Sequence, residues 1–153
     1  MSDRIAWLND LIRLEILLWE RVDARLRAVH DLPLARFQTL HALAGGPLRV
    51  GDLAQRMSIT VGGASKVADR MVTLGLLARE ADPGDRRASR VALTVAGRET
   101  LDAAAGTYAD AVAEIVDPVL PAADRQLMHD LVQRLLGALD GAAPGSAPGS
   151  APA

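Results

Sequence analysis

Three arginines, Arg86, Arg87 and Arg90, fall within five positions of one another just after Pro83-Gly84, in the stretch "ADPGDRRASRVALT". A guanidinium carries a fixed charge and a planar fork of donors, so its counterparts are carboxylates, phosphates and the electronegative edges of bases. Upstream, "TVGGASKVADRM" places Lys66 and Arg70 at helical spacing, with Ser65 beside them and Gly62-Gly63 ahead. Lysine and arginine so placed can neutralise phosphates or bond guanine edges, and a serine hydroxyl serves either kind of group. Each glycine in a first helical turn costs roughly 0.8–1 kcal/mol relative to alanine if the position is interior-like, so a compensating reason is expected. One reason is close approach of the helix start to a phosphate; the other is close packing of helices. The arginines after the turn likewise have two readings: groove contacts, or a solvated turn paired with Asp82 and Asp85. Asp69 shares the face of Lys66, where a bare carboxylate repels phosphate. It fits if it accepts from a cytosine amino group or from an arginine, and charge-assisted pairing with an arginine, bracing the hairpin, is favoured.

These side chains need elements to carry them. Ala64, Val67, Ala68, Met71 and Leu74 recur as one face of a helix, with Thr60 placed as its N-cap and Gly75 as its stop. Ahead of a tight break at "SIT", "PLRVGDLAQRM" reads as a short helix with Val50, Leu53, Ala54 and Met57 inward. After Gly75, "LLARE" and "RVALT" alternate apolar and polar residues around the Pro-Gly turn, a hairpin signature. Short helix, turn, second helix and hairpin, in that order, predict a winged helix-turn-helix over about 33–94.

Residues 3 to 29 carry a broad apolar stripe: Ile5, Leu8, Ile12, Trp19, Val22, Leu26 and Val29, widened by Leu11, Leu14 and Leu18. That stripe exceeds what one small domain covers, and a partner chain is its expected complement. A second long helix starts at Thr94 and stops at Pro118 and Pro121; a final one runs through Leu127, Leu131, Leu135 and Leu139. The expected fold class is mainly α with a small β-hairpin: a winged helix-turn-helix plus long N- and C-terminal dimerisation helices, about 3–30 and 95–140, in a single domain over 1–140. "GAAPGSAPGSAPA", residues 141–153, lacks apolar anchors and is expected to be a disordered tail.

The net charge of -2 hides an uneven distribution. Residues 47–98 hold nine basic and five acidic side chains, a balance of +4, leaving -6 on the flanks, as expected if one surface meets a polyanion. No cysteine is present, which excludes disulfides, thiol catalysis and cysteine-based oxidant sensing. Histidines at 30, 41 and 129 form no close-spaced ligand set, and no Gly-rich phosphate loop or triad-like grouping occurs, so neither a metal, a cofactor nor an enzyme is expected. The charged N-terminal stretch fits neither a signal peptide nor a membrane span, so the expected location is cytoplasmic, away from the membrane.

The succession "LRVGDLAQRMSITVGGASKVADRMVTLGLLARE" followed by "DPGDRRASRVALTVAGRE" resembles the multiple antibiotic resistance regulator (MarR) family of bacterial transcription factors, over roughly residues 5 to 140. The most specific parts are Asp85-Arg86-Arg87 with "VALT" and Gly97-Arg98, together with "VADRM" and Gly75-Leu76. The resemblance implies a homodimer, its interface formed by residues such as Ile5, Leu8, Leu11, Ile12, Leu127, Leu131 and Leu135, bound to a pseudo-palindromic double-stranded DNA operator. It implies a recognition helix over residues 60 to 74, a wing arginine matching Arg86 or Arg87 in the minor groove, and Asp85 bracing the wing. The chain departs from the usual pattern at Gly62 and Gly63, where small hydroxyl residues are frequent. Many members release DNA when a small aromatic or anionic effector occupies a crevice, for which Trp19, His30, Arg36 and His41 are the candidates. A winged helix used only for protein contact is the alternative from another class.

Overall fold

The computed structural model describes residues 2–141. The long 3.6-residue periodicity at the N-terminus forms α1 (Ser2–His30), which ends where Asp31 takes a positive φ of 50° and Pro33 forbids continuation. The chain re-enters helix at once as α2 (Leu34–Ala42), whose first free N–H, on Leu34, donates to the Asp23 carboxylate of α1 at 2.8 Å. Then come β1 (Leu48–Arg49), α3 (Val50–Arg56), α4 (Val61–Thr73), β2 (Leu77–Asp82), β3 (Asp85–Leu93), α5 (Val95–Val116) and α6 (Ala122–Gly141).

One strand was not legible in the sequence. Leu48-Arg49 read as the start of a short helix, but they pair with β3, Leu48 opposite Val91 and Arg49 opposite Arg90, so α3 begins only at Val50. The hairpin thereby becomes a three-stranded antiparallel sheet of order β1-β3-β2 with β3 central. A two-residue strand has no periodicity of its own; the free edge of β3 creates it.

The core joins Val22 and Leu26 of α1, Phe37 and Leu40 of α2, Leu53 of α3, Met71 of α4, Leu77 of β2, Val91 of β3 and Leu101 of α5. Each such side chain contributes about 1.5–3 kcal/mol by leaving water, an upper figure because unfolded chains are already partly collapsed. The start of α5 docks tightly on the turn after α4. Thr94 donates from Oγ1 to the Gly75 carbonyl at 2.7 Å and accepts the Gly97 N–H at 2.9 Å, while its own N–H donates to the Leu76 carbonyl at 3.1 Å. A Cβ on Gly97 would lie 2.0 Å from that Leu76 oxygen, so only glycine admits this approach.

The described chain falls into two compact units, divided after Val112. In the first, Val22 and Leu26 bury the C-terminal half of α1, whereas Ile5, Leu8 and Ile12 are about half exposed and Leu11 is half-buried. In the second, Arg125 donates to Asp117 at 2.6 Å and to the Leu120 carbonyl at 3.2 Å, closing the turn between α5 and α6. Leu127, Leu131 and Leu135 of α6 are all exposed. Among the described residues no helix is long and apolar enough to cross a membrane. Gly141 ends α6, and the rest of the expected tail lies outside the described residues.

Candidate nucleic-acid interface

Helix α4 is built to present one face and bury the other. Thr60, extended at φ -69° and ψ 153°, accepts the Gly63 N–H on its Oγ1 at 3.1 Å, so its hydroxyl is committed to the cap. Ala64, Ala68 and Met71 are buried, and Val67 packs partly against the core. Leu74, which the periodicity puts on the same face, is 47% exposed because it is the C-cap residue, where the chain turns out through Gly75 at φ +73°. Opposite lie Gly62, Lys66, Asp69 and Arg70, all exposed, with Ser65 half-buried on the shoulder.

Gly62 has no neighbouring atom within 4 Å of where a Cβ would stand, so helix packing does not require it. Gly63 is different: a Cβ there would come within 3.1 Å of the capping hydroxyl of Thr60. Val61, a β-branched residue 60% exposed at the first position of α4, also belongs to this surface; its only signal in the sequence was its place in the pattern.

The basic middle of the chain divides once partners are assigned. Arg49 donates to Asp82 at 2.6 Å, Arg79 to Asp69 at 2.6 Å and Arg90 to Glu80 at 2.8 Å. Arg56 and Arg98 donate to the Ala42 and Ala44 carbonyls at 2.7 and 3.0 Å, satisfying the C-terminal end of α2. Among the described side chains of this segment, these five cations are thus engaged within the chain. Lys66 and Arg70, by contrast, make no hydrogen bond or ion pair among the described residues. Arg86 and Arg87 lie in β3, directly after the turn.

Asp69 accepts from Arg79 of β2, and Arg79 also donates to Ser89 of β3 at 3.3 Å, so the exposed face of α4 is tied to both wing strands. Arg79 was missed in the sequence because it lies ten residues from Asp69, a separation with no helical or strand period. Arg90 sits in the middle of the sheet opposite Glu80 and Arg49, with its guanidinium half-buried and held by Glu80. It is therefore remote from the turn and committed, unlike the freely displayed cations of α4.

At the wing turn Asp82 is an acceptor. Its Oδ1 takes the Gly84 N–H at 2.8 Å and its Oδ2 the Arg49 Nε, and its side chain is only 8% exposed. The Arg49 hydrogen bond, then that of Gly84, hold its carboxyl down to about 2. Arg49 is raised in turn, first by its hydrogen bond to Asp82, with Asp85 adding to the negative field around it.

The four candidate effector residues are spread over several gaps between the helices. Trp19 lines a cavity of about 430 Å³ with Leu14, Leu18 and Tyr108; Arg36 lines one of about 370 Å³ with Pro33 and Met71; His41 lines one of about 690 Å³ with Phe37, Arg56 and Tyr108. His30 instead shares a 2.8 Å hydrogen bond with Thr107 of α5. Helical spacing does not say into which interhelical gap each side chain turns. Phe37 stacks on both His41 and Tyr108, with ring centroids 6.1 and 4.8 Å apart, and neither Phe37 nor Tyr108 stood out in the sequence as part of a pocket.

A model of the MarR family matches residues 30–88, which span α2 through most of the wing. An uncharacterized protein of Mycobacterium tuberculosis, Rv2011c, is 32% identical over 139 residues, covering 90% of this chain and 96% of its own length, and the Mycobacterium bovis protein Mb2034c matches equally. Among solved structures, the MarR family regulator Sco3205 of Streptomyces coelicolor, in complex with DNA, superposes with a TM-score of 0.81 at 24% identity over 95% of this chain and 91% of that one. AbsC, a MarR family regulator from the same organism, gives 0.80 at 23% over 92% and 95%, and a mutant MarR from Escherichia coli complexed with operator DNA gives 0.77 at 22% over 89% and 98%. The structural likenesses establish a common winged-helix fold, and with the matched residues they lead to one conclusion: the chain belongs to the MarR family.

Proposed function

We propose that this protein is a sequence-specific double-stranded DNA-binding transcriptional regulator, a homodimer that represses from a pseudo-palindromic operator and responds to a small aromatic or anionic effector. The observation that carries the reading is the pair of cations, Lys66 and Arg70, unengaged among the described residues on the exposed face of α4, while five other cations of the same region are held by internal partners. Unpaired cations on a helix that a brace holds at a fixed angle suit phosphate and base-edge contact. In this reading Thr60, Gly62, Gly63 and Ser65 bring the start of α4 to the major groove, and Arg86 and Arg87 carry the wing to the minor groove. Arg90 keeps the sheet in register instead of touching DNA. The half-exposed leucines and isoleucines of α1 and the exposed leucines of α6 bury one another across the dimer. The 1–140 stretch then works as one cytoplasmic regulatory domain, and its activity is binding, not catalysis.

Regulation follows from geometry: an effector that favours one spacing of the two recognition helices over another shifts the population that matches half-sites one helical turn apart. In vitro selection of duplexes from a random pool tests the core of the reading. An enriched inverted repeat is expected, with log affinity falling against log salt by about 0.9 per phosphate contacted. Absence of duplex binding at low salt overturns it and favours a winged helix that contacts protein alone.

A further inference from the structure

We infer that Arg49 and Asp82 form a positioning clasp that fixes the wing turn against the helix-turn-helix, so that Arg49 acts on DNA binding through the wing without touching DNA. The functional consequence rests on the DNA-binding reading, and the clasp itself on geometry alone. Arg49 belongs to β1 and Asp82 ends β2, the two outer strands of the β1-β3-β2 sheet, and β1 and β2 are not paired with each other. The 2.6 Å bond from Arg49 Nε to Asp82 Oδ2 is therefore a link between outer strands that the backbone ladder does not supply.

Both ends of this link sit at junctions. Arg49 is the N-cap residue of α3, the first helix of the helix-turn-helix, and its guanidinium, a donor with nothing to offer the free N–H groups there, reaches to the wing. Asp82 lies at the register shift between Ala81 and Asp82, where the β2–β3 ladder is interrupted and the wing has least backbone restraint. It is the buried charged side chain among the described residues, and both its oxygens are used, one on Gly84 N–H in the turn and one on Arg49. A buried carboxylate holds its position only while its partner is present. The turn that it shapes leads directly into the β3 positions of Arg86 and Arg87, so the course of the strand there is set from α3. Arg79–Asp69 ties the middle of the wing to α4; Arg49–Asp82 ties its turn to α3.

The test combines amide exchange with a double-mutant cycle on the full chain, using a duplex selected by the wild-type protein. In Arg49→Ala the amides of the wing turn are expected to exchange about tenfold faster, with those of α4 unchanged. Asp82→Asn, which keeps an acceptor for Gly84 N–H but removes the charge, is expected to do the same to a lesser degree, and Arg49→Lys to restore part of the protection. Affinity for the duplex is expected to fall about tenfold in Arg49→Ala, and to change by less than about twofold when the same substitution is made in Arg86→Ala/Arg87→Ala. Full additivity in that background would make Arg49 a direct DNA contact, and unchanged exchange at the turn would remove the clasp; either result overturns the inference. If the wild type binds no duplex, the regulator reading falls, while the exchange measurement still decides whether the clasp exists.

Discussion

Single residues carry the sharpest physical claims. Gly62 occupies an exposed helical position with open space where a Cβ would stand, so the fold itself does not require glycine there. Gly62→Ala is expected to raise stability by about 0.5–1 kcal/mol in thermal melts while lowering duplex affinity; a gain in both would show that close approach to DNA is not its purpose. Gly97 is the reverse case. With a Cβ 2.0 Å from the Leu76 carbonyl oxygen, Gly97→Ala forces backbone apart and is expected to cost about 1–3 kcal/mol or more in denaturant titrations. Asp82 gives a pH signature. Its carboxyl is lowered from 3.8 to about 2, so the folded state prefers it ionised. That contribution is fully present above the unfolded value and is lost as pH falls through the interval between the two. Melts across this range are expected to show a steeper acid loss for the wild type than for Asp82→Asn; equal slopes would refute the assignment. At this scale the sequence disclosed the cap at Thr60 and the stop at Gly75, because caps are local. It did not disclose Arg79 or the role of Arg49, whose partners lie far along the chain.

At the scale of elements, α4 and the wing form one device because Arg79 bridges Asp69 on the helix to Ser89 on β3. Such an exposed pair contributes about 0–1 kcal/mol to stability, so its significance is orientation. Arg86→Ala or Arg87→Ala is expected to weaken duplex binding and to reduce the slope of log affinity against log salt by about 1 for each phosphate no longer neutralised, with the proposed dimer intact. Dissociation of the dimer in those variants, seen by sedimentation, would instead assign these arginines a structural role. The helix-turn-helix, the hairpin and their order were legible because each obeys a period or carries turn residues. The third strand was not, since Leu48-Arg49 becomes a strand only against Val91 and Arg90 of β3.

For the whole molecule, the apolar side chains of α1 and α6 raise the question of what covers them. Ile5, Leu8, Leu127 and Leu139 are each more than half exposed, beyond what scattered surface hydrophobes account for. A self-complementary interface is the simplest answer, and if the wild type sediments as the proposed dimer, Leu131→Asp is expected to shift it towards monomer in sedimentation equilibrium, with loss of duplex binding in step. A variant that stays dimeric moves the interface elsewhere. The charge pattern belongs to this scale too: the chain is acidic overall, yet Lys66 and Arg70 stand unengaged among the described residues where α4 is exposed. Trp19, Arg36 and His41 line three separate cavities, of which those of Trp19 and His41 adjoin through Gln38 and Tyr108.

The amino-acid sequence by itself determined the helices, the hairpin, the caps and the winged-helix order, because these depend on interactions within a few residues of one another. It also placed the cations in one segment and the apolar stripes on the terminal helices. Only the tertiary structure decided which of those cations are engaged and which remain on display. It turned Arg90 towards Glu80, Arg49 towards Asp82 and Arg56 and Arg98 onto the end of α2, leaving Lys66 and Arg70 outward. The reason is that a charge finds its partner through space, across strands and between elements, and no periodicity along the chain records that distance.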